Sequence, residues 1–230
     1  MAKKKKKKLN KRKLLVFLLF FYIIGYMIYY VFSAPIQNIV IKGNDLVSDY
    51  EIIEIANIKK YPSIFTLNID KVKDSIKSLD LINDVKIKRN LKFQLIIEVH
   101  ELKAICVNNT TKKVYLENGT MVDDSNVFIG IPVIINYTPE DVLKDFLKGL
   151  GELDEGTLSA ISEIFYDPSI NENNETMDNT RFLLKMNDGN MVYINTKKIS
   201  SLKHYQKIYA SLNDKKGLLH LDSGDYLEVK

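Results

Sequence analysis

Nineteen consecutive residues, Leu14 to Phe32 (LLVFLLFFYIIGYMIYYVF), carry no charge, and cations crowd one side of them only. As a helix rising about 1.5 Å per residue, such a run spans roughly 28 Å, close to the hydrocarbon thickness of a bilayer. Backbone groups cannot stay unpaired in lipid, so a helix is the expected form. Tyr22, Tyr26, Tyr29 and Tyr30 gather in its second half, where phenols reach the far interface. A cleaved signal peptide competes, with Ser33-Ala34-Pro35 as the small-residue stretch. The run is longer than the usual signal core and proline is a poor neighbour for cleavage, which favours an uncleaved anchor. The nine cations before it (Lys3 to Lys8, Lys11, Arg12, Lys13) place that flank in the cytoplasm and the remainder outside. Attraction of the lysine run to lipid headgroups is a secondary role. No other apolar run approaches this length, so the expectation is one crossing.

The charge balance supports this division. The chain holds 33 Lys+Arg and 29 Asp+Glu, a formal +4, yet the first acid is Asp45. Removing the nine tail cations leaves 24 beyond residue 34 against 29 acids, a balance of −5. A basic nucleic-acid-binding domain is therefore excluded. One cysteine, Cys106, excludes an intramolecular disulfide and any multi-cysteine metal site.

The body reads as two small α+β domains. Ile39 and Ile41 alternate around Val40 as a strand, and Gly43-Asn44-Asp45 makes a turn. Ser48-Asp49-Tyr50-Glu51 has capping-box spacing before a face of Ile52, Ile53, Ile55 and Ala56. A second helix starts near Asp70, with Val72, Ile76 and Leu79 on one side. Val85 and Ile87, then Phe93, Leu95, Ile97 and Val99, alternate with polar neighbours as two strands. Strand, helix, helix, strand, strand implies helices packed on one sheet face.

Beyond Glu101, Val114 to Leu116 and Met121-Val122 flank Asn118-Gly119, a hairpin whose turn takes positive φ at both residues. Thr138-Pro139 reads as a cap followed by proline at the first helical position, before an apolar stripe of Val142, Leu143, Phe146, Leu147 and Leu150. Leu158, Ile161 and Phe165 continue as a helix or strand, and Asp167 to Thr180 reads as an exposed loop. Phe182 to Met186 and Met191 to Ile194 form a hairpin around Asp188-Gly189. Ile199, Leu202, Tyr205, Tyr209 and Leu212 predict a helix of about four turns. Leu218 to Val229 closes the chain as two strands about a turn.

Four elements carry a family resemblance: I-x-x-I-x-V/I-x-G-N at Ile36 to Asn44, S-I-F-x-L-N at Ser63 to Asn68, V-x-I-x-R at Val85 to Arg89, and V-x-E at Val99 to Glu101. Together they resemble the POTRA domain of the FtsQ/DivIB family of bacterial cell-division proteins. Many members carry a proline after that arginine, where this chain has Asn90-Leu91-Lys92. The Asp-Gly hairpin, the Lys-flanked helix and the terminal strand follow the order of that family's β domain. The family often has an Asp in the last strand where this chain has His220, so a role tied to that acid does not carry over. The resemblance covers essentially the whole chain. It implies a basic cytoplasmic tail (1–13), a transmembrane helix (14–34), a POTRA domain (35–103) and a β domain of antiparallel hairpins (104–230). It also implies a bitopic scaffold at the division septum that binds FtsB/DivIC-like and FtsL-like proteins, and other divisome components, outside the membrane.

No motif for catalysis is present: G-x-S-x-G, the P-loop, G-x-G-x-x-G and H-E-x-x-H are all missing. His100, His204 and His220 fall in separate elements without ligand spacing, and Cys106 reads as a small core residue. Asp123-Asp124 and Asp154-Glu155 read as solvated acids, and the Asn108 and Asn118 sequons as incidental. No catalytic residue, cofactor or metal is expected. A terminal strand is a candidate sheet edge for an incoming strand. The resemblance directs that role to Leu218–Val229 and the preceding helix, giving Ile199, Leu202, Tyr205, Tyr209, Leu219, His220, Leu221 and Tyr226 as partner-binding candidates. Among these, Tyr205 and Tyr209 are expected as exposed anchors, and Leu219, Leu221 and Tyr226 weigh toward the core. An extracytoplasmic envelope enzyme and a POTRA-bearing export component are the alternatives, the latter disfavoured because no barrel-like strands follow.

Overall fold

The computed structural model describes residues 11–90, 92–124, 127–212 and 215–229. The lysine run at residues 3–8, which supports the topology expectation, and Leu91 lie outside them. Contacts divide the chain into two compact units, residues 1–101 and 102–230.

The first unit opens with helix α1 (Lys11–Phe32), all but free of packing: none of its residues is buried, and it is long and apolar enough to cross a membrane. Then come β1 (Asn38–Lys42), α2 (Asp49–Ile55), α3 (Ile69–Lys77), β2 (Ile82–Arg89) and β3 (Gln94–Glu101). The sheet order is β1-β3-β2, with β1 parallel and β2 antiparallel to β3. Both helices start where side-chain acceptors satisfy orphan amides: Ser48 accepts from the Glu51 N–H, and Asn68 from the Lys71 N–H. Ile52, Ala56, Val72 and Ile76 then meet Val85, Leu95, Ile97 and Val99 in one core. Ile55 departs from the expected α2 face and is exposed, since the short helix turns only one side to the sheet.

The opening and closing sequence elements of this domain prove to be one structure. Gly43 (φ +80°) leaves no room for a side chain, because a Cβ there would lie 2.3 Å from the Val99 carbonyl oxygen. The loop that follows is held by Glu101, whose carboxylate accepts N–H groups of Asp45, Leu46 and Val47 at 2.8–3.1 Å. At the β2–β3 turn, where many family members carry proline, Asn90 organises the backbone by hydrogen bonding. Its Oδ1 accepts from the Lys92 and Gln94 N–H groups, while Phe93 takes φ +56°.

The second unit contains β4 (Ala104–Asn108), β5 (Lys113–Leu116), β6 (Met121–Asp123), β7 (Val133–Ile134), α4 (Glu140–Gly151), α5 (Glu155–Ser159), β8 (Ile161–Tyr166), β9 (Ser169–Ile170), β10 (Thr176–Asp178), β11 (Arg181–Met186) and β12 (Met191–Asn195). A 3-10 segment (Ile199–His204) leads into α6 (Tyr205–Ser211), and β13 (Gly217–His220) and β14 (Tyr226–Val229) close the chain. Nine strands form one sheet in the order β14-β13-β12-β11-β8-β7-β4-β5-β6. It mixes antiparallel hairpins with parallel pairs at β12/β13, β4/β7 and β7/β8. The α4 stripe covers one face, where Phe146 stacks on Phe182 at 3.7 Å.

Several local expectations are corrected here. In the β5–β6 turn only Gly119 has positive φ (+83°), because Asn118 Oδ1 instead accepts from the Thr120 N–H and hydroxyl. Asn108 makes the same kind of turn with the Thr110 and Thr111 N–H groups, which gives both sequons a local structural reason. Pro139, not Thr138, occupies the α4 cap position, and Thr138 Oγ1 is buried without a hydrogen bond. Residues 167–180 are not all loop: β9 and β10 pair as a small hairpin of their own. The four-turn helix at Ile199 is half 3-10, matching the three-residue spacing of Ile199, Leu202 and Tyr205.

Candidate functional site: the open edge at β14

β14 ends the nine-stranded sheet. It pairs with β13 (Leu218↔Glu228, Leu219↔Leu227, His220↔Tyr226), and no described strand lies on its other side. Each edge residue on that side offers backbone N–H or C=O groups to an incoming strand. β6 is the opposite edge, three residues long.

Alternation sorts the side chains of β13 and β14. Leu219 and the half-buried Leu227 face the core, whereas Leu218, His220, Tyr226 and Glu228 face outward. On that outward face the pairing builds a ladder across four strands. The Arg181 guanidinium lies 4.1 Å from the Tyr193 ring centroid. Tyr193 is 5.4 Å from the His220 ring, and His220 stacks on Tyr226 at 4.4 Å with planes 9° apart. Arg181 is tied down by Asp167, through its carbonyl at 2.8 Å and its carboxylate at 3.3 Å. Burial, reinforced by Asp167, pushes the Tyr193 phenol above its ordinary pKa, so it stays protonated. His220 also lies between two acids, Asp222 Oδ1 at 3.8 Å from Nδ1 and Glu228 Oε2 at 3.5 Å from Nε2. The ladder ends at Tyr226, 54% exposed.

A polar cluster fixes the edge from the other end. The Asp188-Gly189-Asn190 turn, with Gly189 at φ +91°, brings Asn190 beneath β13, where its Oδ1 accepts from the Gly217 N–H at 3.1 Å. Tyr205 donates its hydroxyl to Asp188 Oδ2 at 2.6 Å. Gly217 in turn allows close strand approach, since a Cβ there would lie 2.1 Å from the Glu228 carbonyl oxygen.

The eight partner-binding candidates therefore separate. Tyr209 (40% exposed), Tyr226 and the partly covered His220 are available at the surface. Tyr205, expected as an exposed anchor, is buried, because its ring packs in the core and its hydroxyl finds Asp188. Ile199, Leu202, Leu219 and Leu221 are also buried in the core cluster and cannot touch a partner in this conformation. Tyr226, which weighed toward the core, is exposed because its partner His220 points away from the helices. Sequence spacing does not show the Arg181–Tyr193 extension of the ladder. Its signal in sequence is weak, since cross-strand neighbours depend on register.

Elsewhere, Cys106 is buried and its desolvated thiol is pushed well above the usual range, matching a core residue. Asp154 caps α5 by accepting the Thr157 N–H at 2.9 Å. Among the described residues no group of three or more His, Cys, Asp or Glu is placed to hold a metal.

Residues 34–101 match the model of the FtsQ-type POTRA domain. The chain is 30% identical over 204 residues to the cell division protein DivIB of Bacillus subtilis, an alignment covering 84% of this chain and 73% of that protein. It is 27% identical over 205 residues to DivIB of Geobacillus kaustophilus, covering 85% and 76% respectively. Among solved structures, it is similar to the major extracytoplasmic domain of the trans isomer of DivIB from Geobacillus stearothermophilus. That match has 26% identity and a TM-score of 0.38, and covers 49% of this chain and 95% of that one. An apolar N-terminal helix, an FtsQ-type POTRA domain and a β-rich unit together define a division-related protein of the FtsQ class. Within that class, the chain belongs to the DivIB family of cell division proteins.

Proposed function

We propose that this chain is a single-pass scaffold of the division assembly, working by binding rather than by catalytic turnover. Its cation-rich end faces the cytoplasm, α1 crosses the membrane, and both units act outside. The β domain holds FtsB/DivIC-like and FtsL-like partners by adding a partner strand to β14, at the septum.

The observation that carries this reading is the unpaired edge of β14 beside the Arg181–Tyr193–His220–Tyr226 ladder. Main-chain pairing along an edge supplies affinity, and side chains alternating along it supply selection. Tyr226 brings large contact area with few rotatable bonds, the property of an interface anchor.

The test is co-purification of the full-length chain with its FtsB/DivIC-like and FtsL-like partners. Removing residues 225–230 is expected to abolish capture, and Tyr226→Ala to weaken it about tenfold, a loss typical of an anchor residue. Circular dichroism confirms that each variant is folded. Undiminished capture by both folded variants would overturn the edge as the binding site.

A further inference from the structure

We propose that the end of the POTRA domain next to α1 is a docking surface for the phosphate headgroups of the membrane leaflet from which α1 emerges. The inference rests on α1 being a membrane span, and the geometry follows from how the chain leaves it. No slack linker intervenes. Ser63 Oγ hydrogen-bonds the Phe32 carbonyl at 2.5 Å, the Ile64 N–H bonds Ala34, and Pro35 forms a β-bridge with Ser63. The next two amides are also held, Ile36 by the Pro62 carbonyl and Gln37 by the Phe93 carbonyl.

The apolar run ends at Phe32, which therefore sits at the boundary of the hydrocarbon. Phe65 lies 5.6 Å from the Phe32 ring, and Phe93 a further 6.0 Å from Phe65. The headgroup layer on each side is roughly 6 Å deep, so a ring 5.6 Å from Phe32 lies within reach of it. Tyrosine is favoured at that level, and an exposed phenylalanine gains by burial at the headgroup–acyl boundary. Phe65 is 42% exposed although large and apolar, and so is its neighbour Tyr61 at 49%.

Chemistry at the same end matches phospholipid. A cleft of about 640 Å³ lies between Phe65, Phe93, Arg89 and Lys92, and no carboxylate lines it. Two cations without an acid stand out in a body whose balance is −5. Tyr61 (φ +47°) and Phe93 (φ +56°), both flanking the strap that leaves α1, adopt the left-handed conformation that bulky residues avoid. Backbone strain of this kind persists where surrounding structure enforces it, and it gathers at functional surfaces.

The chain has no tryptophan, so a single introduced one reports its own surroundings. Full-length variants Phe65→Trp, Leu46→Trp and Phe21→Trp are reconstituted in vesicles of phosphatidylcholine and phosphatidylglycerol containing lipids brominated near the headgroup end or near the chain terminus. Leu46 follows β1 at the far end of the POTRA sheet and is the control outside the membrane. Phe21 tests the span itself. The expected result is quenching of residue 21 by chain-terminal bromine, of residue 65 by headgroup-proximal bromine, and none at residue 46. Phosphatidylglycerol deepens the quenching at residue 65, and Lys92→Glu abolishes that gain. If residue 21 is quenched while residue 65 is no more quenched than residue 46, the docking surface is refuted and the span stands. If residue 21 itself is not quenched, the span fails and the docking surface with it. Quenching at residue 65 that is indifferent to phosphatidylglycerol overturns the part given to Arg89 and Lys92 in holding anionic headgroups.

Discussion

Tyr205 is as sequestered as the leucines around it, yet its ring ends in a hydroxyl that needs a partner. Asp188 provides one, and the same turn places Asn190 under Gly217, so one polar cluster joins the hairpin turn, α6 and the start of β13. Burial first, and then the hydrogen bond to Asp188, push the Tyr205 phenol well above its ordinary pKa. A group whose folded pKa is raised contributes in full below its unfolded value, about 10 for tyrosine, and loses that contribution as pH climbs beyond it. Tyr205→Phe keeps the ring and removes the donor. It is expected to cost about 1 kcal/mol at neutral pH in urea unfolding. Above pH about 10 its stability should fall less steeply than that of the parent chain, closing the gap between them.

Elements depend on these residues for their placement. The spacing of Ile199, Leu202 and Tyr205 is compatible with a helix in sequence, but three residues per step suits a 3-10 turn, and the segment forms one. Gly149 permits it to pack closely, since a Cβ there would lie 2.2 Å from Ile199 Cγ2. At the edge, β14 is four residues long and its hold on β13 is correspondingly slight. Gly217→Ala drives a methyl into the Glu228 backbone and should release β14 selectively. Amide exchange is expected to quicken at residues 226–229 while β11 and β12 keep their protection. Uniform exchange across all four strands would show that β14 is not the separable element.

At the scale of the whole chain, two cores of different composition are enclosed in the two units. Phe146 is fully buried and stacked on Phe182, so Phe146→Ala should cost about 3–5 kcal/mol. The loss is expected in the unfolding of residues 102–230, with amide protection in residues 36–101 retained. Sequence by itself determined the apolar span, the element order of the POTRA unit, the cap at Ser48, and the Asp188-Gly189 hairpin. Each of these is written in spacings of a few residues, which act on the local backbone whatever the rest of the chain does. It also carried the family likeness, because Gly43 and Glu101 are demanded by one loop. Exposure was another matter. Tyr205 and Tyr226 are equally amphipathic residues in equally plausible positions, and only the packing of α6 on the core and the outward face of the His220–Tyr226 pair buried one and exposed the other. The strand order of the sheet depends on parallel pairings between segments distant in the chain, such as β7 with β8 and β12 with β13. Such pairings are selected by the closing of a common core. Chain position already made Leu218–Val229 the candidate edge, but local periodicity carries no record of which of its two strands lies outermost or which side chains flank it, and tertiary structure alone decided that.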